Sequence, residues 1–348
     1  MFSKLDTLYV HIDQKNIIKI EKNRIDKNRN NKTSFIQAKA KIKYKDQILE
    51  TSIRLKGDRA IHYKNKKNSS YRLKLKKNNF YKGMKSFSIQ KPRIRNYVWE
   101  WIFHEFNEEF NSIKLKYEFI NLNINGKDEG LYVIEEVFSN NLLEKNKRRA
   151  GPIFGLHENF STNFEIAKLD IYQEKYWSRV SNLEIFLTAK AKITKLKDRD
   201  IPLNEIFDVK KWANYFAISD LLGTQHGYLA KSVKMYYNPI SGLIEPIPFD
   251  GHKTPHFNYH ESIKKTYEEI NLSSYDQALE KSNWLKYFFL NKDESINILF
   301  YREYLKSLKR ITDKKFLDSF FIKNQKEINL INSKIYLDSF KADYNSER

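Results

Sequence analysis

Residues 52–75, SIRLKGDRAIHYKNKKNSSYRLKL, hold two runs that alternate apolar and polar side chains on either side of a loop rich in lysine and asparagine. A period of two marks a strand with one apolar face. In the first run Ser52, Arg54 and Lys56 share the polar face; in the second, Ser70, Arg72 and Lys74 do. A hairpin between the runs sets the two basic rows side by side, where like charges cost roughly 0.2–1 kcal/mol per pair unless an anion or a carboxylate compensates them. The two strands are therefore a candidate phosphate clamp, with Glu135 or Glu136 as a partner for Lys74.

The same period runs through the neighbouring chain. LYVHI (8–12), FIQAKAKIKY (35–44), KSFSIQK (85–91), YEFINLNING (117–126) and GLYVIEE (130–136) read as short strands separated by Asn, Lys and Gly turns. They predict an antiparallel sheet with one solvated face. One helix interrupts it, NYVWEWIFHEFNEEF (96–110), whose Val98, Trp99, Ile102, Phe103, Phe106 and Phe110 form an aromatic stripe suited to packing on that sheet. From Asn140 the period becomes helical, with KNKRRAGP (145–152) as the junction. The expected division is a β-rich lobe over 1–139 and a mainly helical lobe over 140–348.

Composition narrows the function. The 348 residues carry 63 Lys and Arg against 43 Asp and Glu, a net charge of +20. Only 14 of those basic residues are arginine, and they are scattered, whereas planar recognition of phosphate and bases favours clustered arginine. Nucleic acid is not the expected primary partner. The chain has no cysteine, which excludes disulfides and thiolate metal sites. MFSKLDTLYVHIDQ lacks the apolar centre of a signal peptide, and no apolar run approaches the roughly 18 residues of a membrane span, so a cytoplasmic location is expected.

In the second half, FDVKKWANYFAISDLLG (207–223) starts on the N-cap residue Asp208, buries one face and stops at Gly223. Asp220 near its end reads as a surface acid of the helix terminus. A polar loop, TQHGYLAKS (224–232), then leads to VKMYY, the turn NPISG and LIEPIPF, a hairpin inside a helical lobe. The element spans about 223–252. Asp250 and His252 fall just where its second strand ends, and His226 stands 24 residues upstream in the polar loop. A hairpin fixes two such loops next to each other, which brings a metal ligand and a proton acceptor together.

These pieces carry a resemblance. SIRLKGD (52–58), SYRLKL (70–75), KGMKSFSIQ (82–90), NINGKDEGLYVIEE (123–136) and YFAISDLLG followed by YYNPISGLIEPIPFDG resemble the CotH kinase family in order and spacing. The resemblance implies an α+β, two-lobed, atypical protein-kinase-like fold. It further implies phosphotransfer from ATP with Mg²⁺ or Mn²⁺ to a protein or small-molecule acceptor. Asp250 in PFDGH stands at the metal-binding acid of that family, His252 replaces a second acid, and His226 occupies the place of the catalytic acid. The alternative reading of Asp220 is a carboxylate contributed to the site in place of the acid that His226 replaces. Arg54, Lys56, Arg72, Lys74 and Glu136 are the nucleotide contacts that the resemblance and the alternation together suggest. There are departures: no GxGxxG is present, and GDRA with Asp58 and His62 replaces the family's RGNSS-like segment. With His226 in place of an acid, the alternatives are an attenuated kinase, a non-catalytic pseudokinase scaffold with a basic binding face, or a metal-dependent hydrolase using His226, Asp250 and His252 as ligands.

Overall fold

The computed structural model describes residues 5–57, 59–156, 169–195, 201–229, 232–252 and 283–340. Two compact units make up the chain. The first contains the chain up to Trp101, Leu115–Val137 and the stretch from Lys323 onward; the second contains Ile102–Lys114 and Phe138–Ile322.

Seven strands form the first unit: β1 (Thr7–His11), β2 (Ala38–Tyr44), β3 (Gln47–Leu55), β4 (Tyr71–Leu75), β5 (Ser86–Gln90), β6 (Tyr117–Ile124) and β7 (Lys127–Glu136). All the alternating runs of the sequence are strands. Their arrangement, however, is a closed barrel in the order β1-β2-β3-β4-β5-β7-β6, not an open sheet. Closure comes from β1, which pairs antiparallel with β2 on one side and parallel with β6 on the other, Leu8 meeting Leu122. This overturns the two-lobed protein-kinase-like fold that the resemblance implied, because a barrel is not the open sheet of that fold. Inward side chains such as Ile42, Ile53, Leu73, Phe87, Ile120 and Ile134 fill the interior and are fully buried. Closing the sheet removes exposed strand edges.

A helix that the strand period did not announce, Gln14–Arg29, links β1 to β2. Its apolar content is thin, but Ile20 is buried and Lys27 lies over the Phe35 and Tyr63 rings. The helix Trp99–Glu108 forms where the aromatic stripe lies. The Phe103, Phe106 and Phe110 rings meet Tyr215, Phe320 and Phe316, so their partners are helical side chains instead of the expected strands.

The second unit is built on a four-stranded antiparallel sheet, β11-β10-β8-β9, from β8 (Ile153–Leu156), β9 (Leu169–Ile171), β10 (Lys234–Asn238) and β11 (Leu243–Ile247). The β10–β11 hairpin was legible in the sequence. Its two neighbours were not. Helix Val209–Leu222 opens with the Asp208 carboxylate accepting the Lys211 N–H and closes on Gly223 at φ 65°. The Trp212 indole N–H, 2.9 Å from the Ile244 carbonyl, ties this helix to β11. Trp212, Phe216, Trp284, Phe288 and Phe300 form the aromatic core beneath it. The basic junction is not a linker: Arg148 forms a buried pair with Glu245 at 2.9 Å.

Candidate functional site

The polar loop and the end of the hairpin converge. Asp250 lies three residues past β11 with a left-handed backbone at φ 60°, a conformation that costs a non-glycine residue energy and is concentrated at functional positions. Its flanks fix it there. A Cβ on Gly251 would run into the Phe103 ring, and one on Gly227 would stand 2.7 Å from the Phe249 carbonyl oxygen. Both positions therefore require glycine, and the close approach lets the loop carrying His226 reach Asp250.

The Asp250 carboxylate is the centre of a small polar cluster. His226 Nδ1 is 2.9 Å from Oδ2, His252 Nδ1 is 3.1 Å from Oδ1, and the Ser232 hydroxyl donates to Oδ2 at 2.9 Å. Ser232 Oγ also stands 3.4 Å from His226 Nδ1. Asp250 and His226 are 7% and 9% exposed. The two imidazole rings lie 4.2 Å apart between centroids. Among the described residues, these three side chains form a group whose ligand atoms all lie within 4.8 Å of one another. Nδ1 of each ring faces a carboxylate oxygen, so Nδ1 is the ring nitrogen that a cation shared with Asp250 would take. Ser232 was missed in the sequence, where a single hydroxyl in TQHGYLAKS gives no signal.

Two imidazole nitrogens and one carboxylate oxygen suit Mn²⁺, Zn²⁺ or another borderline cation. They suit Mg²⁺ poorly, because it prefers an octahedral shell of oxygen. Of the two ions the resemblance implied, Mn²⁺ fits the residues present. His226, expected as a proton acceptor apart from the metal, stands within the ligand group itself.

In the barrel unit, register settles which predicted residues share a face. Arg54 pairs with Arg72, Arg72 with Ser88, Ser88 with Glu135, and Glu135 with Tyr117, a single row on the outward side of four strand pairs. The basic rows do meet, and a carboxylate joins them. Its closest cation is Lys56, not Lys74: Lys56 Nζ is 2.5 Å from Glu135 Oε2, and Arg95 stands 3.8 Å from Oε1 and 3.7 Å from Glu100. Burial pushes the Glu135 carboxyl up, but Lys56 and Arg95, with a smaller pull from Arg72, outweigh it and hold the group down at about 2. Burial pushes the Lys56 ammonium down; Glu135 offsets this, while Arg72 and Arg95 add to it. The lysine is the strained member of the cluster.

Lys74 lies exposed on the outward face, its strand partners Ser52 and Ser86. Glu136 is one residue out of phase with Glu135, pairs with the inward Phe87, and accepts the Lys116 N–H at 3.1 Å. By strand register neither stands in the Arg54–Arg72 row. Arg95, which does reach the cluster, was not read in the sequence because it sits in the turn Pro92–Arg95 outside any strand period. Of the two residues named in the segment that departs from the family's, His62 is buried with Nδ1 3.0 Å from the Ser70 hydroxyl, and Asp58 lies outside the described residues.

Among the described residues no helix is long and apolar enough to cross a membrane. No protein-family model matches the chain, and no curated protein matches it.

Proposed function

We propose that this protein is a divalent-metal-dependent phosphotransferase, with His226, Asp250 and His252 as the protein ligands of the metal and a nucleoside triphosphate as donor. The single observation that carries the reading is the convergence of two imidazoles and a buried carboxylate on one point, from two loops with a strained backbone at the carboxylate. The resemblance to the CotH family in the motifs of both units supplies the reaction class. A bound cation supplies charge neutralisation to a phosphoryl group, the largest need of a loose transition state. The chain's own contribution is orientation: Ser232 holds the carboxylate of Asp250, and Asp250 holds both rings.

A second reading, metal-dependent hydrolysis, is favoured by the donor set, since imidazole with carboxylate is the usual ligand mixture of hydrolytic zinc. One assay tests both. The protein is incubated with γ-labelled ATP and Mn²⁺, Zn²⁺ or Mg²⁺ in turn, and label is followed into protein or added acceptor and into inorganic phosphate. The expected result is Mn²⁺-dependent transfer, lost in Asp250→Asn and in His226→Ala. Release of phosphate without transfer replaces the first reading by the second. Turnover that survives both substitutions overturns each of them.

A further inference from the structure

The sequence reads Asp220 as a surface acid at a helix end, yet it is buried to 4% exposure in the last turn of Val209–Leu222. A buried carboxylate is costly unless hydrogen-bonded. Its Oδ2 accepts from the Tyr304 hydroxyl at 2.6 Å, and its Oδ1 from the Tyr228 hydroxyl at 3.4 Å. Tyr304 belongs to the helix Ile298–Ile311, so one carboxylate joins two helices and a turn.

The turn is the one that matters chemically. Tyr228 ends the 3₁₀ turn Gln225–Tyr228, which carries His226. Each part of that turn is tied to something rigid. At its start the Thr224 N–H donates to the Ser219 carbonyl at 2.8 Å. In its middle Gly227 lies against the Phe249 carbonyl, next to Asp250. At its end the Tyr228 carbonyl accepts the Trp284 indole N–H at 2.8 Å while its hydroxyl reaches Asp220. His226 Nδ1 is placed 2.9 Å from Asp250 by a backbone that Asp220 holds from the opposite end of the Tyr228 side chain.

We propose that Asp220 is a positioning residue of the metal centre: with Tyr304 and Tyr228 it fixes the turn that presents His226 to the cation. The inference rests on His226, Asp250 and His252 being metal ligands. A carboxylate suits the task because it offers an acceptor oxygen to each of two hydroxyls, whereas an amide offers one. Outer groups of this kind change metal affinity by about 10–100-fold when removed.

The test is Mn²⁺ and Zn²⁺ titration of the full chain by calorimetry, with the visible spectrum of the Co²⁺ form as a reporter of ligand geometry. Asp220→Asn and Tyr304→Phe are compared with wild type, the latter losing one hydroxyl and serving where the former fails to fold. The expected result is an affinity about tenfold weaker in each variant at unchanged stoichiometry, with an altered Co²⁺ spectrum. A merely structural Asp220 would lower the melting temperature and leave both the dissociation constant and the spectrum of the folded protein as in wild type; that result overturns the inference and leaves the metal site standing. A wild-type chain that binds no cation removes the metal site and this inference together.

Discussion

The barrel and the second unit bury charge in opposite ways. Around Glu135 the cations Lys56 and Arg95 lie within 4 Å of one carboxylate, with Arg72 in the same row, so the negative charge is answered by permanent positive ones. Around Asp250 the carboxylate is answered by two imidazoles and a hydroxyl, groups that need carry no charge near neutral pH. The first arrangement is complete in itself. Among the described residues, the second is a carboxylate faced by two imidazoles and a hydroxyl, groups that can also serve as ligands of a cation. Charge saturation, more than burial, separates a cluster that holds a fold together from one suited to bind.

The largest effect that follows is on stability. Glu135→Gln removes the charge that Lys56, Arg95 and Arg72 face, and leaving buried cations uncompensated costs about 3–5 kcal/mol, measured by denaturant unfolding. Asp250→Asn should cost less in the same experiment, because its described partners are two imidazoles and a hydroxyl, and an amide keeps one oxygen to accept from them. Equal losses in the two variants would erase the distinction between the clusters.

Acid sharpens the same contrast. The Glu135 carboxyl is held at about 2 against an ordinary value of 4.5, so its folded-state value is depressed. A depressed carboxyl contributes stability that is fully present above pH 4.5 and is lost as the pH falls toward 2. The shift is worth roughly 3 kcal/mol. Wild type should weaken by about that much between these limits, beyond the acid loss of Glu135→Gln. Parallel stability curves for the two proteins would show that the ion pair contributes little.

Third in size is binding. Asp250→Asn removes the anionic ligand and should weaken Mn²⁺ or Zn²⁺ affinity about 100-fold, or about 2.7 kcal/mol, by calorimetry. Glu135→Gln should leave the dissociation constant within a factor of two if it remains folded. A loss of metal affinity in the barrel variant would break the assignment of binding to one cluster and stability to the other.

Much of this was legible in the sequence, for identifiable reasons. Every strand of the barrel announced itself because inward residues such as Ile53 and Leu73 alternate with Arg54 and Arg72, and that period belongs to the strand alone. Closure was not legible: a barrel and an open sheet have the same alternation, and the difference lies in one pairing, Leu8 with Leu122, between residues far apart in the chain. Asp250, His226 and His252 were found because a hairpin must bring its flanking loops together. Ser232 was missed and Asp220 was read chiefly as a surface acid, because hydroxyls and acids are common near helix ends and loops, and only burial distinguishes them. Glu135 or Glu136 was expected to partner Lys74, but the partner of Glu135 is Lys56, since the row is set by how strands stagger around the barrel.

The smallest effect concerns that row. Lys74 and Arg72 sit two residues apart on the same outward face of β4, and in the sequence only the scarcity of arginine ranks them. Their surroundings do. Lys74 is exposed between Ser52 and Ser86, so Lys74→Met should change unfolding free energy by less than about 0.5 kcal/mol. Arg72 is half-buried, paired across the strands with Ser88 and one strand short of Glu135. Arg72→Met removes a single cation that repels Lys56 and attracts Glu135, so its electrostatic consequences partly cancel. The expected cost is about 1 kcal/mol, by denaturant unfolding at neutral pH, and it should change little with added salt, because interactions of a half-buried charge are weakly screened. If Lys74→Met proves the more damaging of the two, the outward row is not organised around Glu135, and the barrel's charge would then be balanced by a partner at the exposed end of β4.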